Sequence, residues 1–164
     1  MIDFEIDSEL QQRLAMYRMV AQQVMRPISR EYDENEHARP TQFYETMWAG
    51  SRQTGIEIGA ERGGNRSSGR TLFTILAAEE LSWGDVGLFL QIPNPGLGGA
   101  AVMAAGTPQQ KQRFLKRFSE GTPKWAAMAI TEPGCGSDSA AITTTARREG
   151  DHWVINGKIG RAHV

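Results

Sequence analysis

The sequence has one cysteine, Cys135, in 164 residues. A single thiol supports neither an internal disulfide framework nor a cysteine-based zinc site. Long apolar runs are missing too: no window approaches the ~18–20 consecutive apolar residues of a membrane span. Neither sign of charge dominates, since 18 Lys and Arg against 19 Asp and Glu leave a formal net charge of −1. That balance gives no pull toward nucleic acid or an anionic membrane. The opening Met1-Ile2-Asp3-Phe4-Glu5-Ile6-Asp7 is acidic where a secretory leader is basic and then apolar. His37, His152 and His163 show no metal-ligand spacing. What remains is an ordinary globular composition, with a cytoplasmic location expected and a length of one domain, or one domain and a piece of another.

The first half reads as helices. Ser8-Glu9-Leu10-Gln11 fits a capping box. Leu10, Leu14, Tyr17, Ala21, Val24 and Ile28 then recur at helical spacing on one face, with Pro27 expected to end or bend the helix near residue 26. Residues 30–39 read as a charged connector. A second helix starts at Pro40 or Thr41, buries Phe43, Tyr44, Met47 and Trp48, and stops at Gly55, ahead of a glycine-laden loop from Gly59 to Gly69. Thr71 to Trp83 reads as a buried helix through Leu72, Ile75, Leu76, Ala77 and Ala78. Pro93-Asn94-Pro95-Gly96 breaks the following apolar stretch. Thr107-Pro108 opens a further helix with proline at its first position, whose Lys111, Arg113, Lys116 and Arg117 form a solvated face. Gly96-Leu97-Gly98-Gly99 has no strand before it, so it reads as close helix packing rather than a dinucleotide loop.

After Gly121-Thr122-Pro123 the pattern changes. Residues 125–130, 142–148 and 152–155 are strand-length runs, the last two joined through Glu149-Gly150-Asp151 as a hairpin. The expected organisation is an α+β chain: a helical domain over 1–122, the start of an antiparallel β domain over 123–157, and a tail at 158–164.

The most informative stretch is Ala129-Ile130-Thr131-Glu132-Pro133-Gly134-Cys135-Gly136-Ser137-Asp138. It carries small residues and hydroxyls but no cation. Glycines there let a flat ligand approach the backbone, and successive N–H groups can meet an anion or a polar ring edge. The same residues also read as a surface turn capped by Asp138.

With Met128 before it, this stretch resembles the T-E-P-G-x-G-S-D signature of acyl-CoA dehydrogenases. Glu79-Glu80-Leu81, Gly96-Leu97-Gly98, the Ala105–Lys111 run and Val154-Ile155-Asn156-Gly157 fall in that family's order, so the resemblance covers nearly the whole chain. It implies a helical N-terminal domain, a middle β-barrel domain and a C-terminal helical bundle. It implies bound FAD, oxidation of acyl-CoA thioesters to the 2,3-enoyl form, an electron-transfer flavoprotein as acceptor, and a dimer or tetramer. Thr131 would then hydrogen-bond at the flavin N5–O4 edge, and Met128 and Ile130 would lie along the ring. Backbone N–H groups of the stretch, Ala129 and Gly136 among them, would meet the polar edge. Ser137 would reach the cofactor phosphates or the pantetheine of the substrate. The family's base lies in the C-terminal domain, so no catalytic residue is expected here and Glu132 is assigned a structural role.

The same scaffold serves acyl-CoA oxidases and a flavoprotein branch linked to DNA-alkylation response. A non-catalytic helical fragment is the alternative of another class. The chain departs from the family pattern at three places. Met128 stands where tyrosine is frequent. Cys135 stands where alanine is common, and reads as a space-filler. Lys158-Ile159-Gly160-Arg161-Ala162-His163-Val164 lacks the family's following aromatic and hydroxyl. One back-translation of that tail contains a widely used sequencing-library adapter, so residues 158–164 are expected to be non-native. Resequencing the source locus should not find the Ile-Gly-Arg-Ala-His-Val codons inside a longer contig; finding them there removes the idea.

Overall fold

A computed structural model of the chain describes Ile6 and residues 8–54, 68–159 and 161–163, with side chains over these except 53–54, 68–70 and 161–163. The helices are α1 (Ser8–Val20), α2 (Arg26–Glu34), α3 (Thr41–Thr54), α4 (Ser68–Leu90), α5 (Gly96–Ala105) and α6 (Pro108–Leu115). The strands are β1 (Met128–Thr131), β2 (Thr145–Glu149), β3 (His152–Asn156) and β4 (Arg161–His163). Two compact units emerge. One runs up to Asn94 and takes back Gly121–Pro123; the other comprises Pro95–Glu120 and the chain from Lys124 on. The change from helices to strands therefore lies inside the second unit, which includes α5 and α6. Among the described residues, no helix is long and apolar enough to cross a membrane.

Pro27 does not end the first helix. A π-helical turn, Ala21–Met25, separates α1 from α2, and the Arg26 N–H bonds back to the Ala21 carbonyl. Pro27 then sits in the first turn of α2, where its missing N–H costs little. The wider turn also shifts the helical phase. Met25 is fully buried, while Val24, predicted on the apolar stripe, is only half-buried. The helix continues to Glu34, through half of the expected connector. At the start of α1, Gln11 does not complete a capping box; its amide donates to the Ile6 carbonyl at 2.9 Å. A capping box forms at α6 instead. There the Thr107 hydroxyl accepts from the Gln110 N–H (3.2 Å), and the Gln110 side chain accepts from the Thr107 N–H (2.8 Å).

The core of the first unit joins Leu10, Leu14, Tyr17 and Met25 to Phe43 and Met47 of α3 and to Phe73, Ala77, Leu81 and Leu88 of α4. Tyr17 meets Phe73 edge to face, with ring centroids 5.5 Å apart. The α3 reading holds for Phe43, Met47 and Trp48, which are buried, while Tyr44 is half-buried; the Trp48 indole N–H donates to the Gly121 carbonyl at 2.8 Å. The expected Gly55 stop and the loop over residues 59–67 lie outside the described residues; residues 68 and 69 begin α4. The reading of α4 needs correction. Leu72 and Ile75 are exposed, and the buried face is Phe73, Ala77, Leu81 and Leu88. Composition showed an apolar helix but not which side its neighbours would cover. At Asp85 (φ −175°, ψ 119°) α4 breaks, and the Asp85 carboxylate accepts from the Leu88 N–H (2.7 Å) and the Ser29 hydroxyl (2.5 Å), capping the next turn.

In the second unit, Gly98 lets α5 pack against the chain at Ala126 and Ala127. A Cβ there would fall 2.8 Å from both the Ala126 Cβ and the Ala127 carbonyl oxygen, which bears out the packing reading of the glycine cluster. Ala126 and Ala127 are taken up in this contact, and β1 starts only at Met128. Strands β2 and β3 form the predicted hairpin, with Glu149 opposite His152 and Gly150 at φ 60°.

Leu81 is 1% exposed and Leu90 is 72% exposed. Leu81→Ala should cost about 2–5 kcal/mol of stability, and Leu90→Ala should stay within about 0.5 kcal/mol of the parent. Urea denaturation checks both.

Candidate functional site

β1 pairs antiparallel with β4: Met128 lies opposite His163, Ala129 opposite Ala162 and Thr131 opposite Arg161. The register slips between Ala129 and Thr131, which leaves Ile130 as the extra residue of a bulge. Strict alternation would set Thr131 on the face of Ala129. The bulge resets it: Met128, Ile130 and Thr131 are half-buried while Ala129 is exposed.

Beyond β1 the chain closes a tight turn. The Glu132 N–H donates to the Cys135 carbonyl (3.1 Å) and the Cys135 N–H to the Glu132 carbonyl (3.2 Å), with Pro133 and Gly134 at its tip. Thr131 and Gly136 lie on the two limbs just outside this bridge. Cys135 is buried, with no disulfide, as a space-filler would be. Gly136 and Ser137 are exposed.

Neither Gly134 nor Gly136 has a positive φ, and a Cβ on either would meet nothing within 4 Å. Nothing described in the chain requires glycine at these two positions. Their bare backbone is presented to whatever approaches from outside.

Glu132 is 7% exposed and its carboxylate is fully engaged. One oxygen accepts from the Thr143 N–H (2.9 Å) and the Thr143 hydroxyl (2.6 Å), and the other from the Thr144 N–H (2.8 Å). These bonds, the Thr143 hydroxyl foremost, hold the carboxyl at about 2, against an ordinary 4.5. They also explain why β2 begins at Thr145 rather than Ile142: the N–H groups of residues 143 and 144 go to a carboxylate instead of a ladder. Asp138 makes no side-chain cap; only its carbonyl is used, by the Ala141 N–H at 3.1 Å. The turn is thus held from within by an anion, while Gly134, Gly136 and Ser137 are exposed and the stretch carries no cation. A cation-free turn with bare glycine backbone can meet a flat ligand's polar edge through backbone N–H groups.

The family profile described as "Acyl-CoA dehydrogenase, N-terminal domain" matches residues 7–122. The chain belongs to the acyl-CoA dehydrogenase family. It is 37% identical over 155 residues to a 3-(aryl)acrylate reductase of Clostridium sporogenes, a match covering 94% of this chain and 40% of that protein. It is 36% identical over 158 residues to a short-chain specific acyl-CoA dehydrogenase of Clostridium acetobutylicum, covering 95% and 40%. A solved glutaryl-coenzyme A dehydrogenase in complex with glutaryl-CoA superposes with a TM-score of 0.68 at 25% identity, over 95% of this chain and 39% of that one. The chain thus spans about 40% of the length of these relatives.

In this chain of the acyl-CoA dehydrogenase family, sequence reasoning proposed Met128, Ala129, Ile130, Thr131, Gly136 and Ser137 for the site, and the fold carries them on one strand and its adjoining turn. It did not find Thr143 and Thr144. The only signal was a threonine pair eleven and twelve residues after an acidic residue, a separation without local periodicity. The Lys111–Arg117 cations lie on the partly wet face expected of them. Lys116 pairs with Glu120 at 3.3 Å, and the Arg113 and Arg117 guanidinium groups approach the Phe114 ring at 5.4 and 5.5 Å.

Because the folded carboxyl of Glu132 titrates below its ordinary value, its stabilisation is complete above about pH 4.5 and is lost as pH falls toward about 2. Glu132→Gln should therefore lower the denaturation midpoint most near neutral pH. The gap to the parent should close across that acid window; a gap independent of pH contradicts the assignment.

Proposed function

We propose that this chain supplies one edge of the FAD site of a flavin-dependent acyl-CoA dehydrogenase, and that the whole protein oxidises acyl-CoA thioesters to 2,3-enoyl-CoA. The observation that carries the reading is the cation-free, glycine-bare turn after β1, within a chain of this family. Met128 and Ile130 offer an apolar surface for the face of the ring. The Thr131 hydroxyl would hydrogen-bond at the ring's polar N5–O4 edge, where donors stabilise developing negative charge without a cation. The backbone at Ala129 and Gly136 adds N–H donors. Ser137 takes a phosphate of the cofactor or the pantetheine of the substrate. When bound, FAD accepts the hydride that leaves the substrate's β-carbon. The family resemblance assigns the base that removes the α-proton to the C-terminal domain, and Glu132, committed to Thr143 and Thr144, keeps a structural role. Residues 1–122 serve as the helical domain, 123–157 open the β domain, and 158–164 are a non-native tail. The whole protein is a homo-oligomer that passes electrons to an electron-transfer flavoprotein in the cytoplasm.

The 3-(aryl)acrylate reductase relative favours a second reading. An acrylate carries a 2,3 double bond, so the same two carbons are involved with electrons flowing the other way. The full-length protein of the source gene should purify yellow with FAD and bleach anaerobically on addition of an acyl-CoA. A yellow protein that resists acyl-CoA but, once reduced, is reoxidised by an arylacrylate supports the reductase reading. A colourless protein that takes up no FAD removes both.

A further inference from the structure

We propose that Glu132 is a positioning residue for the ligand-facing turn: its buried carboxylate, clasped to Thr143 and Thr144, sets where Thr131 and Gly136–Ser137 stand against the cofactor. This rests on the flavin reading above. Three independent features meet at the clasp. The turn is closed on itself by only two backbone hydrogen bonds between Glu132 and Cys135, so its internal bonds fix its shape but not its place. The carboxylate supplies the place: three donors at 2.6–2.9 Å, all from residues 143 and 144, bind it from the segment that leads into β2. That segment runs close against Gly157, where an added Cβ would lie 2.6 Å from the Thr144 Cβ and 2.7 Å from its Cγ2. One carboxylate thus couples the site turn to the open end of the β2–β3 hairpin.

The chemistry of the clasp requires an anion. All three partners donate, so the acceptor needs lone pairs on both oxygens. A glutamine of the same shape would turn its NH2 toward one of them, donor against donor, and leave a partly buried N–H without an acceptor. Aspartate keeps the charge but is one methylene shorter. The glycine-bare limb makes the turn sensitive to such a change, because no described side chain at 134 or 136 would hold it if the clasp slackened.

The test uses the full-length protein from the source gene. FAD affinity is measured by flavin fluorescence at a temperature well below every variant's melting midpoint, and the visible flavin spectrum is recorded beside it. Glu132→Gln should weaken FAD binding about tenfold and perturb the spectrum, since small misplacements of positioning groups are costly. Glu132→Asp should recover part of the loss. Thr143→Val, which removes one donor of three, should give a smaller loss and stands in if the glutamine variant does not fold. Glu149→Gln, at an exposed pair with Arg147, should match the parent. A glutamine variant that melts lower yet binds FAD with parental affinity and spectrum overturns the proposal and leaves Glu132 a brace. A parent that binds no FAD overturns the flavin reading instead, and the proposal with it.

Discussion

The second unit hangs on one buried anion. Glu132 lies next to Thr131, and its carboxylate is spent inward, on Thr143 and Thr144. Remove that carboxylate and two backbone N–H groups lose their acceptor. The segment between the turn and β2 loses its anchor, and the Glu132–Cys135 bridge loses its fixed position. The depressed carboxyl, at about 2, follows from this geometry: a charge is favoured where three donors converge on it. The same arrangement answers why the turn carries no lysine or arginine. Its internal charge is satisfied by hydrogen bonds, so its outward face can stay neutral and suit a ring edge.

The first unit rests on a different constraint. Its core is closed by α1, the π turn and α3 against one face of α4. The opposite side of α4 keeps Leu72, Ile75, Trp83, Val86 and Leu90 exposed. Single exposed apolar residues are ordinary; a succession along one helix is less so. Of these, Trp83 is approached by the Arg26 guanidinium, 5.5 Å from its ring.

Much of this was legible from residues alone, and the failures share a cause. The α3 face, the α6 start at Thr107-Pro108 and the β2–β3 hairpin were legible because each depends on neighbours in sequence. The phase change at Ala21–Met25 was not, because periodic reading assumes 3.6 residues per turn and a π turn adds one. Met25 was passed over for Val24 on that account. The buried side of α4 depends on partners from elsewhere in the chain, so Phe73 went unmarked while Leu72 was taken as core. At the site, the Thr143–Thr144 clasp is set by bonding across the fold. It decides where the turn after Thr131 is held, and it leaves no local pattern. The family motif located the turn, but the structure supplied the reason that its glutamate is there.

The most direct test is an experimental structure of the full-length protein with FAD. The account predicts the flavin ring against Met128 and Ile130, the Thr131 hydroxyl within hydrogen-bonding reach of its N5–O4 edge, and Glu132 still bonded to Thr143 and Thr144. A flavin bound elsewhere, with the 131–137 turn facing bulk solvent, would contradict it.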